Sequence, residues 1–441
     1  MFNTKNNYVL FILFHVFIGS ILWILPSLST LFGLLIILVG GYRILNKPDS
    51  KGLLPIFFSA YIVGIEVLLR MTNSLLFWEF GKYAVIFFLL LGILRKNHLV
   101  NLYPPIVLYF LFLLPSICLV PLDLFNLWRQ SVAFNLSGPA CLMVSSIYFY
   151  NLEISMDDVK KMLLFAILPI FSMAIFIILE MPNFASYHFM PFSDPTTSGG
   201  YGPNQVSTIF GFGVAILAYS QIMKNYIFRS RTIDILFLTI FIGLGLITFS
   251  RGGMISAIIA FSLAVSYYFF HGQRKMQLYF KGVGLLVVVL VTWFYIVNIT
   301  EGVISQRYGL TGETYGEKLI LDMTGRVLIY GIDLNIFYDN FFTGVGPGQA
   351  NSLRELYGYG KTVAAHTEYS RMLAEHGILG LFSLTVLLFL PILRFLSAQS
   401  LRSKFIIILF GFLALLPMGH SAMRLAMSPF IYGLLFPKYT D

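Results

Sequence analysis

The sequence predicts an all-α polytopic membrane protein. It should have about 12–14 transmembrane helices and one long extracytoplasmic loop that contains short amphipathic helices. Three observations predict it. Of 441 residues, 58% are hydrophobic and 11% charged, with a mean hydropathy of +0.82, whereas soluble domains run at about 45–50% apolar and about 25% charged. Apolar segments of about 17–25 residues recur, each long enough to cross a hydrocarbon core of roughly 30 Å as a helix. The segments are continuously apolar rather than alternating, which argues against a transmembrane barrel.

In order, the helices fall near 8–25, 29–45, 52–70, 75–94, 102–120, 131–150, 162–180, 203–223, 232–249, 252–270, 281–298, 374–394, 404–420 and 425–436. The first has no small-residue cleavage site after it and reads as a membrane helix, not a removed signal. The second and the last are short. The links carry the basic residues: Arg43, Lys47 and Lys51 after the second helix, Arg95 and Lys96 after the fourth, and Lys160 and Lys161 after the sixth. Lys224, Arg229 and Arg231 follow the eighth, and Arg274, Lys275 and Lys281 the tenth. Arg394, Arg402 and Lys404 lie between the twelfth and thirteenth, and Lys438 after the fourteenth. With Lys5, these alternate links hold 18 of the 29 basic residues. Cytoplasmic loops are enriched in Lys and Arg, so both termini are expected inside. The net charge of +9 is then a topology signal and not a nucleic-acid footprint. Cys118 and Cys141 both lie in apolar runs, which argues against a disulfide or a metal site.

One membrane domain, 1–441, is expected, with a long outer loop at 299–373. A segment that long between helices is uncommon unless it has a function. The informative residues are the basic ones on the outer side, where topology does not require them. Arg251, in "FSRGGMIS", sits in a turn whose Ser250 and Gly252–Gly253 suit a tight bend. It is either a snorkelling arginine or a cation held for an anionic substrate. In "DMTGRVLIYGIDLNIF", Thr324 suits a helix N-cap. Val327, Leu328, Ile332, Leu334 and Ile336 suit an amphipathic helix on the outer surface. Arg326 would then stand in its first turn, beside free N–H groups that favour anions. "TGVGPGQAN" (343–351) is a glycine-rich turn without the ending of a phosphate-cradling loop.

"AAHTEYSRMLAEHGILG" (364–380) brings His366, Glu368, Arg371, Glu375 and His376 to the start of an apolar helix. Thr367 could cap that helix, and Arg371 and Glu375 are spaced to pair. His376 reads as a packing residue; His366 stands just outside the membrane. "GGYGPNQVS" (199–207) offers Asn204 and Gln205, to bind a sugar or to cap a helix. Glu66, Arg70, Glu79 and Lys82 have spacings that favour ion pairs within each helix, and His420 and Arg424 lie on the same outer side. Two or three arginines suit a diphosphate. A histidine is the usual general base near neutral pH. Together they suggest transfer from a lipid-linked donor.

These motifs, "GPNQ", "SRGG", "TGR", "GVGPGQ" and "AHTEYSRMLAEHGILG" in this order, resemble the bacterial O-antigen ligase and polymerase superfamily over roughly residues 200–395. The first 180 residues are similar only as apolar helices. The resemblance implies a membrane glycosyltransferase of the bacterial cytoplasmic (inner) membrane, with its site on the extracytoplasmic face. It implies an undecaprenyl-diphosphate-linked oligosaccharide donor and a glycan or lipid-linked acceptor, with membrane lipid around them. It implies that Arg251 and Arg326 bind the diphosphate and that His366 activates the acceptor hydroxyl. Glu368, Arg371, Asn204 and Arg424 would give support. Inversion at the anomeric carbon, with no metal or other cofactor, is implied as well. Nucleic acid is not an expected partner; a chain-length regulator or a flippase is. Within this reading the product is that of a repeat-unit polymerase or of a ligase. The rival class is a transporter or flippase, whose ionisable groups gather near the bilayer midplane rather than at its outer rim.

Overall fold

The computed structural model describes residues 5–73, 77–95, 102–121, 125–184, 186–273, 275–309, 316–359 and 365–440; for 5–7, 125–127 and 316–326 it describes the backbone alone. The chain is a helical bundle. In order come α1 (Lys5–Ile24), α2 (Leu28–Asn46), α3 (Leu54–Met71), α4 (Phe80–Arg95), α5 (Pro104–Leu111), α6 (Phe125–Phe149), α7 (Met156–Glu180), α8 (Pro203–Met223) and α9 (Arg231–Ile247). Then come α10 (Arg251–His271), α11 (Lys275–Ile299), α12 (Val303–Arg307), α13 (Gly316–Asp339), α14 (Ala350–Arg354), α15 (Glu368–Ser397), α16 (Leu401–Ser421) and α17 (Met427–Gly433). Among the described residues, nine helices are long and apolar enough to cross a membrane. Shorter apolar helices at Tyr8–Ile24, Phe80–Arg95, Pro104–Leu119 and Arg231–Ile247 accompany them. Leu286, Val291 and Phe294 on α11 are exposed large apolar side chains, as a lipid-facing helix requires.

Charged and polar groups collect at the two ends of the bundle. At one end, Asp158 pairs with Lys51 and Lys161 at 3.3 and 3.2 Å. Arg394 donates to the carbonyls of Leu435 and Phe436 there. Strands β1 (Glu153–Ser155) and β2 (Lys438–Thr440) pair in parallel at the same end, tying the chain's last residues to the α6–α7 link. The other end holds Glu66, Arg70, Lys82, Arg251, Arg371 and Arg424. Residues sorted by charge alternation in the sequence are thus sorted alike in space.

The sequence reading needs three corrections here. The segment 425–436 is not a span: α17 has seven buried residues, enough for about 10 Å. Thr324 is no N-cap, because α13 begins at Gly316; Arg326 therefore lies well inside that helix and not in its first turn. The Gly252–Gly253 pair does not make the α9–α10 turn. Phe249 does, at φ +53°, while the two glycines are helical and allow close approach. A Cβ on Gly253 would lie 2.3 Å from the Ser207–Thr208 backbone of α8, and one on Gly252 would lie 2.5 Å from the His420 ring.

The long loop is anchored at a break in α15. Gly377, at φ +58° and ψ −138°, interrupts the helix and leaves carbonyls without helical partners. The "TGVGPGQ" turn supplies those partners: Val345 N–H donates to Ala374 O at 3.1 Å and Gly346 N–H to Glu375 O at 2.9 Å. In return, Ile378 N–H donates to Phe341 O at 2.7 Å. The fit has no spare room. A Cβ on Gly344 (φ +67°) would sit 2.4 Å from Glu375 O. Gly344→Ala is expected to cost about 2–4 kcal/mol through overpacking and left-handed strain together. Gly302→Ala, also at positive φ (+82°) but in open space, should cost about 1–2 kcal/mol. Thermal denaturation of the two purified variants in detergent checks the order; equal losses would contradict the clasp.

Candidate active site

Arg251 is the first residue of α10, and the hydroxyl of Ser250 just before it does not cap that helix. It donates instead to Asn204 Oδ1 at 2.7 Å, while Ser207 Oγ donates to Ser250 O at 2.8 Å. Asn204 thus neither caps α8 nor stands alone; it holds the Arg251 turn. α12 closes over the same turn, with Arg307 Nε donating to Phe249 O at 2.8 Å. The Tyr308 hydroxyl is shielded there and has no hydrogen-bond partner among the described residues. Burial pushes its pKa up to about 12, against the opposing pull of Arg251 and Arg307. A cation, a helix start whose first turn Ser250 leaves uncapped, and a second arginine form a positive corner suited to an oxyanion.

The second group begins α15. Thr367 Oγ1 caps the helix by accepting from Tyr369 N–H at 3.1 Å. Arg371 spans both neighbouring carboxylates, pairing with Glu368 and with Glu375 Oε2, the latter at 2.7 Å. It also donates to Asn135 of α6, through side-chain and main-chain oxygens at 3.1 Å each. Five donors in a fixed fork make arginine the residue able to do this. Glu368, Arg371, Glu375 and His376 are all buried. His376 packs inside, with Nδ1 2.5 Å from Ser116 Oγ. His366, one residue outside the cap, is half-buried.

Residues 420–426 join the two groups. The His420 ring lies over Gly252 and its Nε2 is 3.2 Å from Thr208 Oγ1. Arg424 Nη2 donates to Ala365 O at 2.9 Å, directly before His366. Burial lowers the Arg424 pKa from its ordinary value. Between these points the backbone is irregular, and buried charges satisfy it. Met423 N–H donates to Glu368 and Met423 O accepts from Lys82. Arg424 O accepts from Arg70, and Ala426 N–H donates to Glu66 at 2.8 Å. Arg70 pairs with Glu66 at 2.6 Å, and Lys82 pairs with Glu79, as their spacings predict. Lys82, Asn135, Ala365, Glu368, Arg371 and Arg424 wall a pocket of about 20 Å3, room for about one water.

α13 docks on the start of α15 through Asp333, which accepts from Ser370 Oγ at 2.6 Å and pairs with fully buried Arg354 at 2.7 Å. Arg326 lies on α13 two turns before Asp333; its side chain is outside the described residues. Asn135, Arg307, Asp333 and Arg354 carry much of this geometry. They were not apparent in the sequence, although Asp333 is an isolated charge among apolar positions. Replacing Arg371 by Met should destabilise the chain by about 3–5 kcal/mol, because Glu368 and Glu375 would stay buried without their cation. Arg371→Met with Glu368→Gln and Glu375→Gln should recover part of that loss. Detergent-solubilised thermal unfolding measures both, and no recovery in the triple variant would contradict the assignment.

No curated protein and no solved structure matches the chain. Residues 235–385, which include Arg251, Arg326, His366, Glu368 and Arg371, match the family model described as O-antigen ligase. Asn204 and Arg424 lie outside the matched range. That match, on a membrane-spanning helical bundle, supports a relationship to the O-antigen ligase/polymerase superfamily of membrane enzymes over the matched residues.

Proposed function

We propose that this chain is a glycosyltransferase of cell-surface polysaccharide assembly. It transfers a glycan from an undecaprenyl-diphosphate donor to an acceptor sugar hydroxyl, at the extracytoplasmic face of a bacterial inner membrane. The observation that carries the reading is the bridge formed by residues 420–424. It links the positive corner at Arg251 to the strand of chain that ends in His366. In the proposed step, His366 takes the proton of the acceptor hydroxyl as that oxygen attacks the anomeric carbon. The bond from that carbon to the diphosphate breaks, with inversion, and the leaving group takes the electron pair. Arg251, aided by the start of α10, and Arg326 stabilise the charge that develops there. No metal enters the step. Arg424 and Asn204 act as positioning residues, one on the backbone before His366 and one on the turn before Arg251. The domain is one membrane unit whose loop 299–373 faces the donor, and both termini are cytoplasmic.

The reading favours a repeat-unit polymerase, because joining repeat units recurs across many surface polysaccharides. A ligase that passes the glycan to lipid A-core would use the same groups. Membranes carrying His366→Ala and supplied with lipid-linked repeat units should show turnover lowered by about 10²–10⁴-fold. Wild-type turnover would remove His366 from the mechanism. In a deletion strain, single repeat units at the surface mark a lost polymerase, and accumulated lipid-linked polymer marks a lost ligase.

A further inference from the structure

The end of the bundle opposite His366 carries a second cavity that the proposed transfer does not use. α10 and α16 each have 21 residues, about 30 Å of helix. Each has its candidate-site end at Arg251 or His420, so Gly272 and Leu401 lie one membrane thickness away. A cavity of about 320 Å3 opens there among Tyr268, Gly272, Lys275, Leu278, Leu401 and Arg402. It is thus far roomier than the pocket beside His366, and large enough for a small polar headgroup.

Two independent features describe its occupant. The first is charge. Lys275 on α11 and Arg402 on α16 line the cavity from different helices, and both are exposed. None of the residues that line the cavity is acidic. A basic depression of this kind favours phosphate, and arginine can grip two of its oxygens at once. The second is the rim. Phe270, Met276, Tyr279 and Phe280 flank the cavity in sequence and are 58–71% exposed. Large exposed aromatic groups beside cations mark the depth at which headgroups meet acyl chains. A soluble phosphate would use the cations alone; a phospholipid would use both features.

We propose that this cavity binds the phosphate headgroup of an anionic membrane phospholipid, with its acyl chains lying along the apolar face of α11. Basic pockets between helices at this depth suit phosphodiester headgroups, and each cation contributes measurably to the attraction.

The test uses the full-length protein purified in mild detergent, with lipid adducts counted by native mass spectrometry. Phosphatidylglycerol should be retained in preference to phosphatidylcholine. Lys275→Gln with Arg402→Gln should weaken phosphatidylglycerol retention by roughly 30-fold. Lys47→Gln with Lys51→Gln, which removes two cations elsewhere at the same end, should leave it unchanged. Equal retention by the two double variants, or equal loss, would overturn the site. Displacement by a millimolar excess of inorganic phosphate would also overturn the lipid assignment, by moving the site to a soluble anion. Matched melting temperatures for the two variants keep a folding defect from imitating the result.

Discussion

The rest of the candidate site depends on the break in α15 at Gly377. A helix entering hydrocarbon cannot leave carbonyls without donors, since no water is present to satisfy them. Here Ala374 and Glu375 expose their carbonyls, and the turn around Gly344–Gly346 supplies the N–H groups. The break turns one long helix into two pieces with separate tasks. The piece after Gly377 crosses the membrane, while Glu368–His376 forms a short charged segment at its rim. Without the turn to close the break, Arg371 and its carboxylates would have no fixed position from which to meet Asn135 and the chain before Arg424.

A second constraint acts on electrostatics. Four carboxylates (Glu66, Glu79, Glu368 and Glu375) and four cations (Arg70, Lys82, Arg371 and Arg424) lie close around residues 422–426. Buried ion pairs rarely repay the cost of leaving water. They persist here because an irregular chain at membrane depth needs strong donors and acceptors, and charged side chains provide them. The set is balanced in sign. Arg251 stands outside it, at the start of a helix whose Ser250 bonds sideways to Asn204, so its positive field is not cancelled by that set.

Much of the fold was legible in the sequence because lipid imposes a simple code of length and hydropathy. The all-helical membrane class, the two-ended sorting of charge and the pairs Glu66–Arg70, Glu79–Lys82 and Arg371–Glu375 all follow from local spacing. What spacing does not encode was missed. The 425–436 run is apolar enough to suggest a span, yet polar side chains from three other helices hold the chain before it irregular, which leaves α17 short. The glycines of "SRGG" read as a turn because their close contacts with α8 and α16 are invisible in one dimension. Asn135 gives no signal at all: it is 236 residues from Arg371. His366 drew attention because a histidine beside a cap and outside an apolar run is conspicuous. Arg326 drew attention by its motif, although the helix around it starts earlier than capping signals suggested.

The clasp at Gly377 also bears on the order of assembly. Its two halves, Gly344–Gly346 and Ala374–Ile378, are about thirty residues apart and adjacent to one membrane helix. Loop closure over that distance is inexpensive, so the clasp can form while α15 is entering the bilayer. The pocket beside Ala365 instead needs partners separated by 236 residues at Asn135–Arg371 and 341 at Lys82–Met423. Because Met423 follows Ile378 in the chain, the pocket can be completed only after the residues of the clasp have been made.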